Sequence, residues 1–158
     1  MAPSGVFYVA DGYGNSRVLK FSKDGRLLRQ WGKKGSGDGE FRLPHAICLD
    51  GRGRVYVGDR ENGRVQVFDP DGRFLARFTE SGAPYGLFLT GKGRLFVADG
   101  RTHWIKVLDL EGRVLGRWGE KGTGPGQFRL PHAVCVDSHG AVYVAEVDGR
   151  RVQKFVAR

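Results

Sequence analysis

The sequence is short of the features that mark several classes of protein. It has only 2 cysteines and 6 prolines among 158 residues, which excludes a disulfide scaffold and a collagen-like chain. No apolar run approaches the roughly 20 residues of a membrane-spanning helix, and helical periodicity is absent. The sequence as given starts without the charged and apolar pattern of a signal peptide. The compartment stays unknown, because a secreted or periplasmic protein would carry such a leader upstream of residue 1.

Glycine and positive charge, in contrast, are abundant. The chain has 26 glycines, more than twice the usual share of roughly 7 %, and its formal net charge is +9. A basic chain is compatible with nucleic-acid binding. The cations, however, are spread over predicted turns at both ends of the fold, and no exposed aromatic series is predicted for base stacking. Nucleic acid is therefore not the expected partner.

The chain repeats itself. Residues 43–50 (LPHAICLD) return as 130–137 (LPHAVCVD), with a weaker copy at 83–90. A second landmark, an aromatic residue and valine followed by a small and an acidic residue, occurs four times, at 8–11, 56–59, 96–99 and 143–146. Each unit has four short strand patterns bounded by Gly, Asp and Pro clusters, which is typical of a β-propeller blade.

The strand count predicts an all-β fold, a partial β-propeller that forms one domain over residues 1–158. It amounts to about three and a half four-stranded blades of a six-bladed ring. The blades are predicted at 5–32 (strands two to four), 43–79, 83–119 and 130–157 (strands one to three). Open sheet edges are a liability, so we expect blades from elsewhere or self-association to complete the ring. Two copies do not complete a ring by simple strand exchange, because one chain ends on a third strand while the other begins on a second. This favours a fragment over a dimer.

One face of the predicted propeller collects the unusual side chains. The inner strands of the second and fourth blades start with His45 and His132, and Tyr85 takes the position between them. In a six-fold ring these histidines would be two legs of a tripod around the axis, which suits a catalytic zinc. The alternative is that each His only caps a strand after a repeat-consensus proline.

Two top-face loops on neighbouring blades carry the other candidates. Tyr13 could act as a proton acceptor near a metal, and Arg60 could bind a carboxylate in bidentate fashion. The alternative is an ordinary loop tyrosine and a solvated arginine.

Other repeated residues are predicted to be structural. Cys48 and Cys135 are predicted to be buried thiols. Side chains near the ends of the fourth strands are expected to pack between blades: Trp31, Phe78 and Trp118. Arginines just before the third strands are expected to be structural: Arg17, Arg64 and Arg151.

In their order along the chain, these motifs resemble the NHL-repeat propellers, and more narrowly the lyase domain of the peptide α-amidating enzymes, peptidyl-α-hydroxyglycine α-amidating lyase (peptidylamidoglycolate lyase). The segments that carry the resemblance are 9–18 (VADGYGNSRV), 30–32 (QWG) with 39–45 (GEFRLPH), 57–66 (VGDRENGRVQ) and 128–132 (FRLPH). Lyases of that family are six-bladed propellers with a three-histidine zinc site. They cleave a C-terminal α-hydroxyglycine to a peptide amide and glyoxylate.

The resemblance implies roles for four residues. His45 and His132 would bind zinc, Tyr13 would take the hydroxyl proton, and Arg60 would help to hold the substrate, a peptide with a C-terminal α-hydroxyglycine. The chain lacks the blade that carries the family's third histidine, so it holds two of the three zinc ligands.

Two further departures concern other features of the family. Calcium is doubtful, because Ala133 stands where the family usually has an aspartate that helps to bind it. The disulfides of the secreted animal enzymes have no counterpart here, which points to a bacterial-type relative. Their positions are occupied by Gly14, Tyr56 and Val67.

Three functions therefore compete. The first is a zinc lyase of the amidating type, or a piece of one, with metal on His45 and His132. The second is a non-catalytic NHL propeller that binds protein or peptide, which predicts tolerance of His→Ala at both sites. The third, favoured least, is RNA binding through a basic top face.

Overall fold

The computed structural model describes residue 2 and residues 4–156, which form fourteen strands and one short 3₁₀ turn, Arg60–Asn62. The strands are β1 (Phe7–Asp11), β2 (Arg17–Phe21), β3 (Leu27–Trp31), β4 (Pro44–Leu49), β5 (Val55–Asp59), β6 (Arg64–Phe68), β7 (Phe74–Phe78), β8 (Pro84–Leu89), β9 (Leu95–Asp99), β10 (Trp104–Leu108), β11 (Val114–Trp118), β12 (Pro131–Val136), β13 (Val142–Glu146) and β14 (Arg151–Phe155). In this part of the chain, no helix is long and apolar enough to cross a membrane.

The strands form four antiparallel sheets, each a meander in chain order. The sheets are β1–β3, β4–β7, β8–β11 and β12–β14, so the strand numbers are three, four, four and three. Short glycine-containing turns connect the strands, as hairpin geometry requires. The predicted all-β fold with propeller-type blades is confirmed.

The apolar core lies between neighbouring sheets. Alternate strand residues face the sheet before and the sheet after, so each interface collects one apolar row from each side. Between the first two sheets the buried residues are Val18, Phe41, Val55, Val57 and Phe68. Between the second and third they are Tyr56, Val65, Val67, Phe78, Leu95, Val97 and Leu108. Between the third and fourth they are Ala98, Ile105, Phe128, Val134 and Val144.

Turn glycines let the sheets approach one another. Gly72 has φ 84°, in the left-handed region, and a Cβ there would lie 2.6 Å from the Trp31 ring of the preceding sheet. Gly112 has φ 87° and meets Phe78 of its preceding sheet in the same way. Only glycine fits both the backbone angle and the contact. The predicted packing of Trp31 and Phe78 between blades is confirmed.

Buried polar clusters hold the two long loops, 32–43 and 119–130. The Arg64 guanidinium donates to the Asp59 carboxylate at 2.9 Å and to the backbone carbonyls of Ser36, Gly37 and Glu40. Arg151 repeats this arrangement with Glu146 and the second long loop. Because each long loop leads directly into an inner strand, these arginines fix where β4 and β12 begin. Their predicted structural role is confirmed.

One prediction about the core is wrong. Cys135 is exposed, whereas Cys48, at the equivalent position of β4, packs against the core between the second and third sheets. Both side chains face the next sheet along the chain. β12–β14 has no described sheet on that side, so the thiol of Cys135 is uncovered.

Candidate functional site

A β-bulge at the start of each inner strand sets the direction of one ring. In β4, Pro44 pairs with Asp59 of β5, and Ala46 pairs with the adjacent Gly58. His45 between them therefore has no cross-strand partner. Tyr85 in β8 and His132 in β12 are skipped in the same way. A bulge turns its extra residue out of the regular alternation and often re-aims a side chain at a functional site.

The three rings meet on the top face, the face that carries the loops between second and third strands and the loops between sheets. The ring centroids of His45 and His132 lie 5.0 Å apart, and each lies 5.5 Å from that of Tyr85. The two predicted histidines therefore converge from sheets that are separated by a whole blade.

Hydrogen bonds fix the tautomer of His45. Its Nδ1 lies 2.8 Å from the backbone oxygen of Tyr85, and since a carbonyl only accepts, Nδ1 carries the proton. Nε2 then holds the free lone pair, and the Tyr13 hydroxyl donates to it at 3.0 Å. Partial burial lowers the pKa of His45, and the nearby charge of Arg60 acts in the same direction. The imidazole is therefore neutral near pH 7, which is the form that binds metals.

Arg60 connects the loop tyrosine to the rings. Its guanidinium carbon lies 4.7 Å from the Tyr85 ring centroid and 5.8 Å from that of Tyr13, and its Nη1 is 3.5 Å from the Tyr13 hydroxyl. Its Nε donates to Glu61 at 2.9 Å, and the other Glu61 oxygen accepts from Arg101. The Arg60 side chain is only 15 % exposed, whereas Tyr13 is 79 % exposed.

The structure thus brings all four sequence-predicted residues into one cluster on the top face. Sequence reasoning assigned no role to two further members. The backbone carbonyl and ring of Tyr85 orient His45 and Arg60, and Glu61 ties Arg60 to Arg101. The signal for Tyr85 was its place in the repeat, since it occupies the position that is histidine in the blades on either side.

His103, another top-face histidine, has a structural role. Its backbone is in the left-handed region with φ 63°. Its Nδ1 accepts a hydrogen bond from the backbone N–H of Leu130 at 3.2 Å, at the end of the second long loop.

The donor set fits two of the three ligands of a three-histidine zinc site. His45 and His132 offer imidazoles, and the carbonyl on Nδ1 of His45 is the kind of outer partner that orients a metal-bound histidine. Tyr85 stands at the corresponding position of β8, between the two histidines. Among the described residues, no group of three His, Cys, Asp or Glu side chains is placed to hold a metal ion. A third ligand would have to come from outside this part of the chain.

A groove opens beside the cluster, between the first two sheets. Its volume is about 730 Å³, within the usual range of ligand pockets. Its lining includes Tyr13, Arg17, Lys33, Lys34, Arg42 and Glu61. Because Tyr13 lines the groove and also belongs to the top-face cluster with His45, His132 and Arg60, the groove and the cluster form one continuous site.

Comparison with known proteins identifies the repeat. The NHL repeat family matches residues 41–68 and 128–155. Human NHL repeat-containing protein 3 is 36% identical over 97% of this chain and 47% of its own length. Peptidyl-alpha-hydroxyglycine alpha-amidating lyase 1 of Drosophila melanogaster is 34% identical over 98% of this chain and 34% of its own. The chain thus spans about half the length, or less, of the curated relatives it matches.

Solved structures share the architecture. Virginiamycin B lyase from Staphylococcus aureus superposes with a TM-score of 0.70 over 99% of this chain and 54% of its own, at 16% sequence identity. That identity shows the fold alone. The chain therefore carries NHL repeats in a propeller-type fold and is similar in sequence to amidating lyases.

Proposed function

We propose that this NHL-repeat chain forms the active-site half of a lyase that converts a C-terminal α-hydroxyglycine peptide to a peptide amide and glyoxylate. The observation that carries the proposal is the convergence of four residues from three sheets: Tyr13 is hydrogen-bonded to His45 and Arg60, and the His132 ring lies 5.0 Å from that of His45. The similarity to an amidating lyase along nearly the whole chain supports it.

In this reaction the substrate loses its hydroxyl proton, the bond between the amide nitrogen and the Cα breaks, and the nitrogen takes up a proton. As a phenolate, the Tyr13 oxygen would accept the hydroxyl proton and then return it to the departing amide nitrogen. Its ring is exposed to incoming substrate, and its oxygen lies 3.5 Å from Nη1 of Arg60. Arg60 would bind the carboxylate that becomes part of glyoxylate, since Glu61 and the Tyr85 ring hold its guanidinium.

Zinc is the proposed metal, and His45 and His132 are the side chains that would hold it. When bound, zinc acts as a Lewis acid and makes a nearby hydroxyl more acidic. The third ligand is proposed to come from a further blade, supplied by a longer polypeptide or by a second copy. Nε2 of His45 has one lone pair, so a metal there would replace the Tyr13 hydrogen bond.

The test combines size, metal content and activity in one preparation. The protein is separated by size with light scattering, and zinc is measured on the peak. Glyoxylate release from an α-hydroxyglycine peptide is then assayed. We expect about one zinc per active site and glyoxylate release in the wild type, both lost in the His45→Ala/His132→Ala variant. His139→Ala is the matched control, because His139 lies in an exposed turn between β12 and β13, at the opposite end of the sheet.

Tyr13→Phe separates metal binding from proton transfer. We expect this variant to keep its zinc and to lose at least about 100-fold in kcat, the usual contribution of a proton-transfer group. Zinc in an oligomer but not in a monomer would place the third ligand on another chain. A folded wild type without zinc and without glyoxylate release would reject the proposal.

The second candidate is a non-catalytic binding platform for protein or peptide. The described residues bring two imidazoles and no third ligand together, which favours it. In that case His45→Ala and His132→Ala would leave partner binding unchanged.

A further inference from the structure

The groove beside Tyr13 carries an excess of positive charge. Four of its lining residues are cations: Arg17, Lys33, Lys34 and Arg42. Its one acidic lining residue, Glu61, is already engaged, since its two oxygens accept hydrogen bonds from Arg60 and Arg101.

Two of the four cations are available to a ligand. Arg17 pairs with Asp11 at 2.8 Å, and Lys33 lies 3.3 Å from Glu40. The side chains of Lys34 and Arg42 are in exposed residues and form no ion pair within the described chain. They therefore offer unneutralised charge along one wall of the groove.

The second long loop carries only part of this charge. The equivalent positions 87 residues later are Trp104, Glu120, Lys121 and Arg129, in the same order. Two cations are lost there and one anion is gained. The second long loop nevertheless has an isolated parallel β-bridge between Lys121 and Phe128, equivalent to the one between Lys34 and Phe41. Lys34 and Arg42 thus recur in the repeat, and the groove beside the exposed tyrosine differs by having Arg17 and Lys33 in place of Trp104 and Glu120.

We propose that this groove binds an acidic side chain of the peptide, within about four residues of its C-terminal α-hydroxyglycine. The inference rests on the proposed function for the position of the peptide's end at Tyr13 and Arg60. From there an extended peptide advances about 3.3 Å per residue, so only the last few residues lie beside Tyr13. Lys34 and Arg42 would pair with Asp or Glu there and discriminate against Gln.

The test uses two N-terminally labelled hexapeptides that end in unmodified glycine and so cannot be cleaved. One has two glutamates before its last two residues, and the other has two glutamines in their place. Dissociation constants are measured by fluorescence anisotropy at low and high salt. We expect the glutamate peptide to bind the wild type about tenfold more tightly at low salt, with a smaller difference at high salt.

Charge-matched variants locate the effect. We expect the preference for glutamate to fall to about twofold or less in Lys34→Gln/Arg42→Gln. Lys92→Gln/Arg94→Gln removes the same charge from the exposed turn between β8 and β9, at the opposite end of the sheet, and should keep the preference. Circular dichroism and thermal unfolding of both variants establish that they fold.

The outcomes separate this inference from the proposed lyase. Equal binding of the two peptides by the wild type, or equal loss of the preference in both double variants, would overturn the acidic subsite. Glyoxylate release without any glutamate preference would reject the subsite and leave the lyase standing. A glutamate preference that depends on Lys34 and Arg42, without glyoxylate release, would establish the groove as an acidic-peptide site and reject the lyase.

Discussion

The first three strands of the second sheet, β4–β6, and the fourth sheet, β12–β14, have nearly the same sequence but very different burial. β5 (VYVGD) and β6 (RVQVF) are buried at every residue. Their counterparts β13 (VYVAE) and β14 (RVQKF) are buried at only two residues and at none. The second sheet has a neighbour on both faces, whereas the fourth has a described neighbour on one.

A single pair of equivalent valines shows the same difference in burial. Val65 in β6 is 0% exposed and Val152 in β14 is 64% exposed, although both follow an arginine and precede a glutamine. The burial of a repeat residue is therefore set by the next sheet and not by its own strand. In a repeat protein the interface between units supplies much of the stability.

Thiol reactivity should show the largest difference between the two sheets. Burial raises the pKa of Cys48 to about 12, with a further contribution from Asp50. About 10⁻⁴ of that thiol is then ionised at pH 8. Cys135 lies on the open face, and we expect iodoacetamide to modify it at least about 100-fold faster.

Mass spectrometry of Cys48→Ser and Cys135→Ser variants assigns each rate to one thiol. Equal rates would contradict the comparison. Protection of both thiols would mean that another sheet covers β12–β14 in solution.

Removing the loop-holding arginines should give the next largest effect. Arg64→Met leaves the fully buried Asp59 carboxylate without its ion-pair partner, which we expect to cost about 3–5 kcal/mol of unfolding free energy. The Glu146 side chain is as buried as that of Asp59, but the Arg151 side chain is 31% exposed, so removing it opens the Glu146 carboxylate to water. We expect Arg151→Met to cost about half as much. Urea unfolding of both variants measures the two losses, and equal losses would contradict this ordering.

The valine pair should give the smallest effect and the sharpest comparison. We expect Val65→Ala to cost about 2 kcal/mol, the value of two buried methyl groups with the cavity they leave. Val152→Ala should change stability by less than about 0.5 kcal/mol. The two variants differ from wild type by the same atoms, so urea unfolding isolates the contribution of the neighbouring sheet. If Val152→Ala costs as much as Val65→Ala, the fourth sheet is covered in solution.

Local patterns predicted most of the fold. Strand alternation and glycine turns are properties of a few successive residues, so the three, four, four and three strands were readable from the sequence. The convergence of His45 and His132 on one face was also predicted, since repeat position fixes which face a residue joins.

The features that sequence reasoning missed depend on contacts between sheets. The exposure of Cys135 follows from the lack of a described neighbour, which a strand pattern does not encode. The part played by Tyr85 depends on a backbone carbonyl and on a ring under Arg60. The positive charge of the groove depends on the packing of two loops, 12–16 and 32–34, against each other, which a local sequence pattern does not encode.

The bulges at His45, Tyr85 and His132 have a consequence for how this site can change. A residue without a cross-strand partner can be replaced while the ladder on either side keeps its register. Three of the four described sheets thus have one position whose side chain lies outside the strand pairing. Tyr85→His would place a third imidazole beside the other two within a single chain, at the loss of the Arg60 stacking contact. One residue of β8 therefore decides whether this face of a single chain presents two imidazoles or three.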